Sequence, residues 1–103
     1  MNVSISSYSF HGLLHEGRMD VFGFLESCRY RYGVDAVEIW NGTLDGRTDD
    51  DFLATVREAL DERGLALACL CVDGAHVWED DPAAREKNYR AGLGWLHAGE
   101  ILG

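Results

Sequence analysis

The sequence holds one proline, three cysteines and only nine basic residues against 18 acidic ones. With a single proline and no Ser-rich, Pro-rich or repeated low-complexity stretch, nothing reads as a linker, so the 103 residues form one domain without an internal boundary. Cys28, Cys69 and Cys71 are an odd set in a composition with no other sign of stapling. That argues for free, reduced thiols and against a disulfide framework. The net charge of −9 repels phosphate backbones and anionic headgroups, which excludes broad nucleic-acid or anionic-membrane binding. No apolar run approaches the ~20 residues that a spanning helix needs, and the opening MNVSISSYSF has neither the basic nor the apolar region of a secretory leader. A cytoplasmic protein is expected. What is abundant is ordinary: 47% hydrophobic and 26% charged residues place the chain among globular proteins with a packed core.

Strand and helix patterns alternate three times. Val3 to Phe10 sets Val3 and Ile5 against Ser4, Ser6 and Tyr8, predicting a strand with one apolar and one mostly polar face. Asp20 is a candidate N-cap, and Val21, Leu25, Cys28 and Tyr32 recur at helical spacing up to Gly33, which suits the left-handed turn after a helix. Val34 to Trp40 predicts a second strand. Thr48 and the three aspartates after it open a second helix, with Phe52, Val56, Ala59 and Arg63 on one face and Gly64 as its stop. Leu65 to Val72 predicts a third strand, too apolar for an edge strand exposed on one face. Asp81 and Pro82 then read as N-cap and first position of a third helix. Its two neighbouring stripes, Tyr89, Leu93 and Leu96 beside Ala91, Trp95, Ala98 and Leu102, predict a wide buried face. Gly103 stands where Gly33 and Gly64 stand, at the hand-over from helix to strand. Three parallel βα units ending there are expected to be the first part of a larger α/β fold, truncated before a fourth strand. Periodicity alone does not separate a doubly wound sheet from an eightfold barrel.

SISSYSF in the first strand, VEIWNG in the second and CVDGAHVWEDDPAAREKNY from the third strand into its helix resemble the sugar phosphate isomerase/epimerase family, the xylose isomerase-like TIM barrels. The resemblance covers nearly the whole chain and is strongest in the last segment. It implies residues 1–103 of a single (β/α)8 barrel whose usual length is roughly 250 residues. It also implies a metal-dependent sugar or sugar-phosphate isomerase or epimerase that moves a proton next to a carbonyl through an enediolate. The expected divalent metal is held in such barrels by carboxylates and a histidine of later strands, so this part would be inactive alone. The alternatives are a self-associating half-barrel whose copies pair through open sheet edges, and part of a metal-dependent lyase, dehydratase or endonuclease IV-like barrel.

Such barrels build their sites at the C-terminal ends of the strands. There the first strand offers Tyr8 and His11, either as sugar contacts or as rim packing and an exposed loop imidazole. His11 and His15 have the spacing of helical zinc ligands, but Gly12 and the lack of an intervening glutamate make that signal weak. Glu38 and Trp40 share one side of the second strand, opposite Val37 and Ile39. A carboxylate inside a sheet needs a partner, so Glu38 either binds sugar hydroxyls beside the indole or pairs with an Arg or Lys of another strand. Cys69, Cys71 and Asp73 share one side of the third strand, opposite Leu70 and Val72. The two cysteines are expected to be small buried hydrophobes, since no further metal ligands converge on them. Asp73 and His76 frame the loop that follows, where Gly74 permits a sharp turn, and His76 is either a substrate contact or an exposed loop residue. Tyr8, His11, Glu38, Trp40, Asp73 and His76 are therefore the candidate substrate-binding residues, for a sugar or polyol. No catalytic and no metal-ligating residue is assigned. No turn matches a phosphate-cradling or dinucleotide fingerprint, and no nucleophile pattern is present.

Overall fold

The computed structural model describes residues 2–103. Three parallel strands, β1 (Ser4–Ser6), β2 (Ala36–Trp40) and β3 (Ala66–Cys71), lie in the order β1-β2-β3. A short helix α1 (His11–His15) and then α2 (Val21–Glu26) link β1 to β2, α3 (Asp50–Glu62) links β2 to β3, and α4 (Pro82–Leu102) follows β3. The α/β class and the three repeated units expected from the alternating pattern are present.

The helix boundaries follow local chemistry. Asp20 caps α2 by accepting the Gly23 N–H at 2.8 Å, and Asp81 caps α4 by accepting the Ala83 N–H at 3.3 Å, with Pro82 at the first helical position. For α3 the cap is Asp49, one residue after the Thr48 expected to open it. Its carboxylate accepts the Phe52 N–H at 3.2 Å and holds both Nε and Nη2 of Arg47 at 3.0 Å. The Arg47 guanidinium keeps the Asp49 carboxyl below the usual carboxylate range. After α2 the helix widens into a single π-turn, Ser27–Arg31, with the Tyr32 N–H reaching back to the Ser27 carbonyl at 3.0 Å. Gly64 adopts a φ of +62°, so that its own N–H and that of Leu65 return to the carbonyls of Asp61 and Leu60 and close α3.

All the long helices pack on one face of the sheet. Phe24 and Leu25 of α2, Val37 and Ile39 of β2, Leu53, Val56 and Leu60 of α3, and Trp95, Ala98 and Leu102 of α4 belong to one buried cluster. The opposite face carries Ser4, Ser6, Glu38, Trp40, Cys69 and Cys71, and among the described residues no helix covers it. Val37 and Ile39 thus face the helices and Glu38 and Trp40 face away, as the period-two reading predicts.

Three expectations need correction. The first strand is three residues long instead of running to Phe10. The Ser6 hydroxyl accepts the Tyr8 N–H, and the chain turns into a 3-10 segment, Ser7–Phe10. β3 is an edge strand, with Ala66, Ala68 and Cys69 exposed, because no fourth strand lies beside it among the described residues. Its pairing with β2 is also irregular. Val37 pairs with Leu67 and Glu38 with Cys69, so Ala68 is an extra residue that bulges out of register. Finally, α4 buries only the Trp95, Ala98 and Leu102 stripe. Tyr89, Leu93 and Leu96 are 64%, 48% and 71% exposed, lining an open groove that no other element among the described residues fills.

Candidate functional site

The uncovered face is most elaborate at the carboxyl ends of the strands, where backbone geometry is fixed by two small hydroxyls. Ser7, fully buried, accepts the Trp40 N–H at 2.9 Å and shares a 2.6 Å hydrogen bond with the buried Thr43 hydroxyl. This ties the turn after β1 to the end of β2 and satisfies both polar side chains inside the structure.

Around that anchor three aromatic rings assemble. Tyr8 stacks on His11, with ring centres 4.7 Å apart and planes 17° from parallel, and meets Trp40 edge-on at 5.1 Å and 88°. His11 Nδ1 lies 2.8 Å from the Tyr8 carbonyl oxygen. A carbonyl only accepts, so Nδ1 carries the proton and in the neutral ring Nε2 is left as an acceptor. The Trp40 indole N–H donates to Asp73 Oδ2 at 2.8 Å. Asn41 then clamps the backbone of Asp73 from both sides, donating from Nδ2 to its carbonyl at 3.0 Å and accepting its N–H at 3.1 Å through Oδ1. The chain ends of β2 and β3 are therefore locked together just beyond the sheet, one residue past β2 and two past β3.

Glu38 sits deeper on the same face, half-buried, with Ser4 Oγ donating to Oε1 at 3.2 Å. Among the described residues it takes part in none of the ion pairs, so the Arg or Lys partner that would explain it structurally does not occur there. Cys69 and Cys71 face the same space. They are exposed and half-buried respectively, not the buried hydrophobes expected, because the face they occupy has no cover. Burial, Cys69 and the carboxylates of Glu38 and Asp73 together push the Cys71 thiol up from its ordinary value.

Tyr8, His11, Trp40 and Asp73 thus converge, with Glu38 further down the same face. His76 does not join them. It is exposed on the other side of β3, where it borders a groove of about 850 Å³ between Leu70 and Val72 of the strand region and Tyr89, Leu93, Trp95 and Leu96 of α4. The chain passes Asp73 and turns outward at Gly74, whose φ is +85°. The turn that Gly74 permits therefore carries His76 away from the face instead of onto it. His15 and His11 are both exposed, and no group of three His, Cys, Asp or Glu side chains able to hold a metal occurs among the described residues.

Sequence reasoning overlooked Asn41, Ser7 and Thr43. Asn41 had a legible signal, an amide between a strand-ending Trp and a Gly. The two hydroxyls had none, since their pairing spans 36 positions. No protein-family model matches the chain, and a search of curated proteins finds no match either.

Proposed function

We propose that the chain is the opening part of a xylose isomerase-like barrel acting on a sugar or polyol, and that Tyr8, His11, Glu38, Trp40 and Asp73 form one wall of its substrate site. One observation carries this reading. Three consecutive parallel strands put every long helix on one face and leave the other face lined by a carboxylate, an indole and polar groups at the strands' carboxyl ends. A doubly wound sheet would need helices on both faces, whereas an inward-curving barrel wall has them on one.

The chemistry of the wall matches a polyhydroxylated molecule. Trp40 and Tyr8 offer apolar surface for the carbon face of a sugar. Glu38, the free Oδ1 of Asp73 and Nε2 of His11 are acceptors, suited to hydroxyl donors. No cation stands among them, so the wall reads hydroxyls and offers nothing to a phosphate group. Nor do these residues fit a hard divalent metal, which takes about six oxygen ligands, since no cluster of three ligands is present among the described residues. The proton-transfer groups of an isomerase belong in this reading to strands other than these three.

The test is a titration of the 103-residue chain with aldoses, ketoses and polyols, following its indole N–H resonances by NMR. A saturable shift of the Trp40 resonance, with those of Trp78 and Trp95 unmoved, is the expected result. Equal movement of all three, or none, overturns the site. Isomerisation of any of these sugars by the chain alone overturns the claim that the proton-transfer groups lie elsewhere.

The groove beside α4 supports a second reading, in which copies of the chain cover one another's open β3 edge and the Tyr89, Leu93 and Leu96 stripe. A solution mass of one chain at high concentration removes it.

A further inference from the structure

Glu38 is a charge on the uncovered sheet face without a counter-charge. The hydrogen bond it accepts comes from a neutral hydroxyl, Ser4 Oγ, at 3.2 Å. Neither Glu38 nor Asp73 enters an ion pair among the described residues. Glu38 is half-buried, and withdrawing a carboxylate from water with no opposite charge beside it is costly. Hydroxyl groups can hydrogen-bond to both carboxylates, but they leave both charges standing. An ammonium group donates hydrogen bonds and offsets the charge at once.

The neighbours of Glu38 suit the same group. Trp40 stands two residues on, on the same side of β2, with the Tyr8 ring perpendicular to it at 5.1 Å. Aromatic faces attract an ammonium within about 6 Å. The fields of Glu38 and Asp73 overlap at Cys71, which is in register with Trp40, and both push its thiol up. At long range the net charge of −9 draws cations to the chain. Size sets the other limit. Glu38 is in register with Cys69, and Asp73 lies four residues further on, so roughly 13 Å separates the two acids along the strand direction. One small cation cannot meet both, whereas a molecule several carbons long can place an amine at one end and hydroxyls at the other.

We propose that this wall selects an amino sugar or aminopolyol over its neutral counterpart, with the ammonium group seated against Glu38 and Trp40 and hydroxyls turned towards Asp73. The inference rests on the sugar-wall reading above and adds the charge of the molecule that is bound.

The probes are glucosamine, glucose and N-acetylglucosamine, titrated into the 103-residue chain at about pH 6 and ~0.15 M salt while the Trp40 indole resonance is followed. Glucosamine should bind at least about tenfold more tightly than both neutral sugars, as a hydrogen bond to a charged group implies. The advantage should vanish by about pH 9, where an amine titrating near ~8 has lost its charge and the carboxylates have not. Glu38→Gln still accepts from Ser4, so it should lower glucosamine affinity about tenfold and leave that of glucose within about twofold. Asp51→Asn removes the same charge from the exposed start of α3, and it should change neither affinity by more than about twofold. Equal affinity for glucosamine and N-acetylglucosamine, or glucosamine binding that survives Glu38→Gln, overturns the inference while the sugar wall stands. If Glu38→Gln does not fold, the N-acetyl comparison and the pH profile decide. A Trp40 resonance that none of the three sugars moves overturns the sugar wall itself.

Discussion

Gly42 lies directly beneath the indole of Trp40, so close that a β-carbon on Gly42 would collide with three carbons of the six-membered ring. The ring folds over the turn that follows its own strand. From there it presents its edge to Tyr8 and its N–H to Asp73.

The first prediction concerns that contact. In Gly42→Ala the indole must swing away, losing both the Tyr8 edge contact and the Asp73 hydrogen bond. A destabilisation of about 1–3 kcal/mol is expected, typical of forcing extra volume into a fitted position. Urea unfolding measures the loss, and the Trp40 indole resonance should move to the position of a solvated indole. An unmoved resonance would mean that the turn yields instead of the ring.

A second prediction separates the tie from the fold. In Asp73→Ala the indole loses its acceptor at an exposed site, so stability should fall by no more than about 1 kcal/mol. Sugar-induced shifts at Trp40 should nonetheless be lost, because the ring is no longer held. Retained sugar response in a stable Asp73→Ala protein would detach Asp73 from the wall.

The two sides of α4 predict opposite sensitivities. Leu102, 1% exposed, lies on the buried side of α4, and Leu102→Ala should cost about 2–5 kcal/mol. Leu96 is 71% exposed in the groove, so Leu96→Lys should change the stability of the isolated chain by no more than about 0.5 kcal/mol. If thermal unfolding shows a large loss for Leu96→Lys that grows with protein concentration, the groove is covered by a second copy.

The helix pair α3 and α4 should respond to pH. His97 Nε2 lies 2.9 Å from Asp50 Oδ1, and this hydrogen-bonded carboxylate raises the imidazole above its ordinary range. A raised native pKa means that the contribution is fully present below the unfolded value near ~6.5 and fades as pH climbs through the higher native one. The pair is solvent-exposed, so the effect on stability should be small and screened by salt. An NMR titration of the His97 imidazole C–H resonances should show it titrating above the ordinary imidazole range, and Asp50→Asn should lower it.

How much of this was legible depended on distance along the chain. Asp20, Asp81 with Pro82, Gly33 and Gly64 act within a few residues of themselves, and the boundaries they mark are present. Alternation in VEIW sorted Val37 and Ile39 from Glu38 and Trp40 correctly, because β2 is regular and pairs on both sides. Where a partner from another unit decides, the pattern misled. The SYSF segment alternates like a strand, yet Ser6 binds its own neighbour's backbone and Ser7 answers to Thr43. The third strand offered a clue in its own spacing. Leu65 and Leu67 are two apart and Leu70 and Val72 are two apart, but Leu67 and Leu70 are three apart, and only an extra residue lets both face the helices. His76 was unreadable because the direction of a glycine turn is set by the tertiary path and not by the glycine.

That extra residue, Ala68, also divides the open edge of β3. Along an unbroken edge strand the free N–H and C=O groups form a continuous template on which any extended chain can register. Here the template is interrupted, leaving Ala66 and Leu67 on one side and Cys69 to Cys71 on the other. An unrelated strand can zip along no more than three residues before it falls out of step. Such an interruption is one of the devices by which edge strands discourage long, flat pairing with other chains.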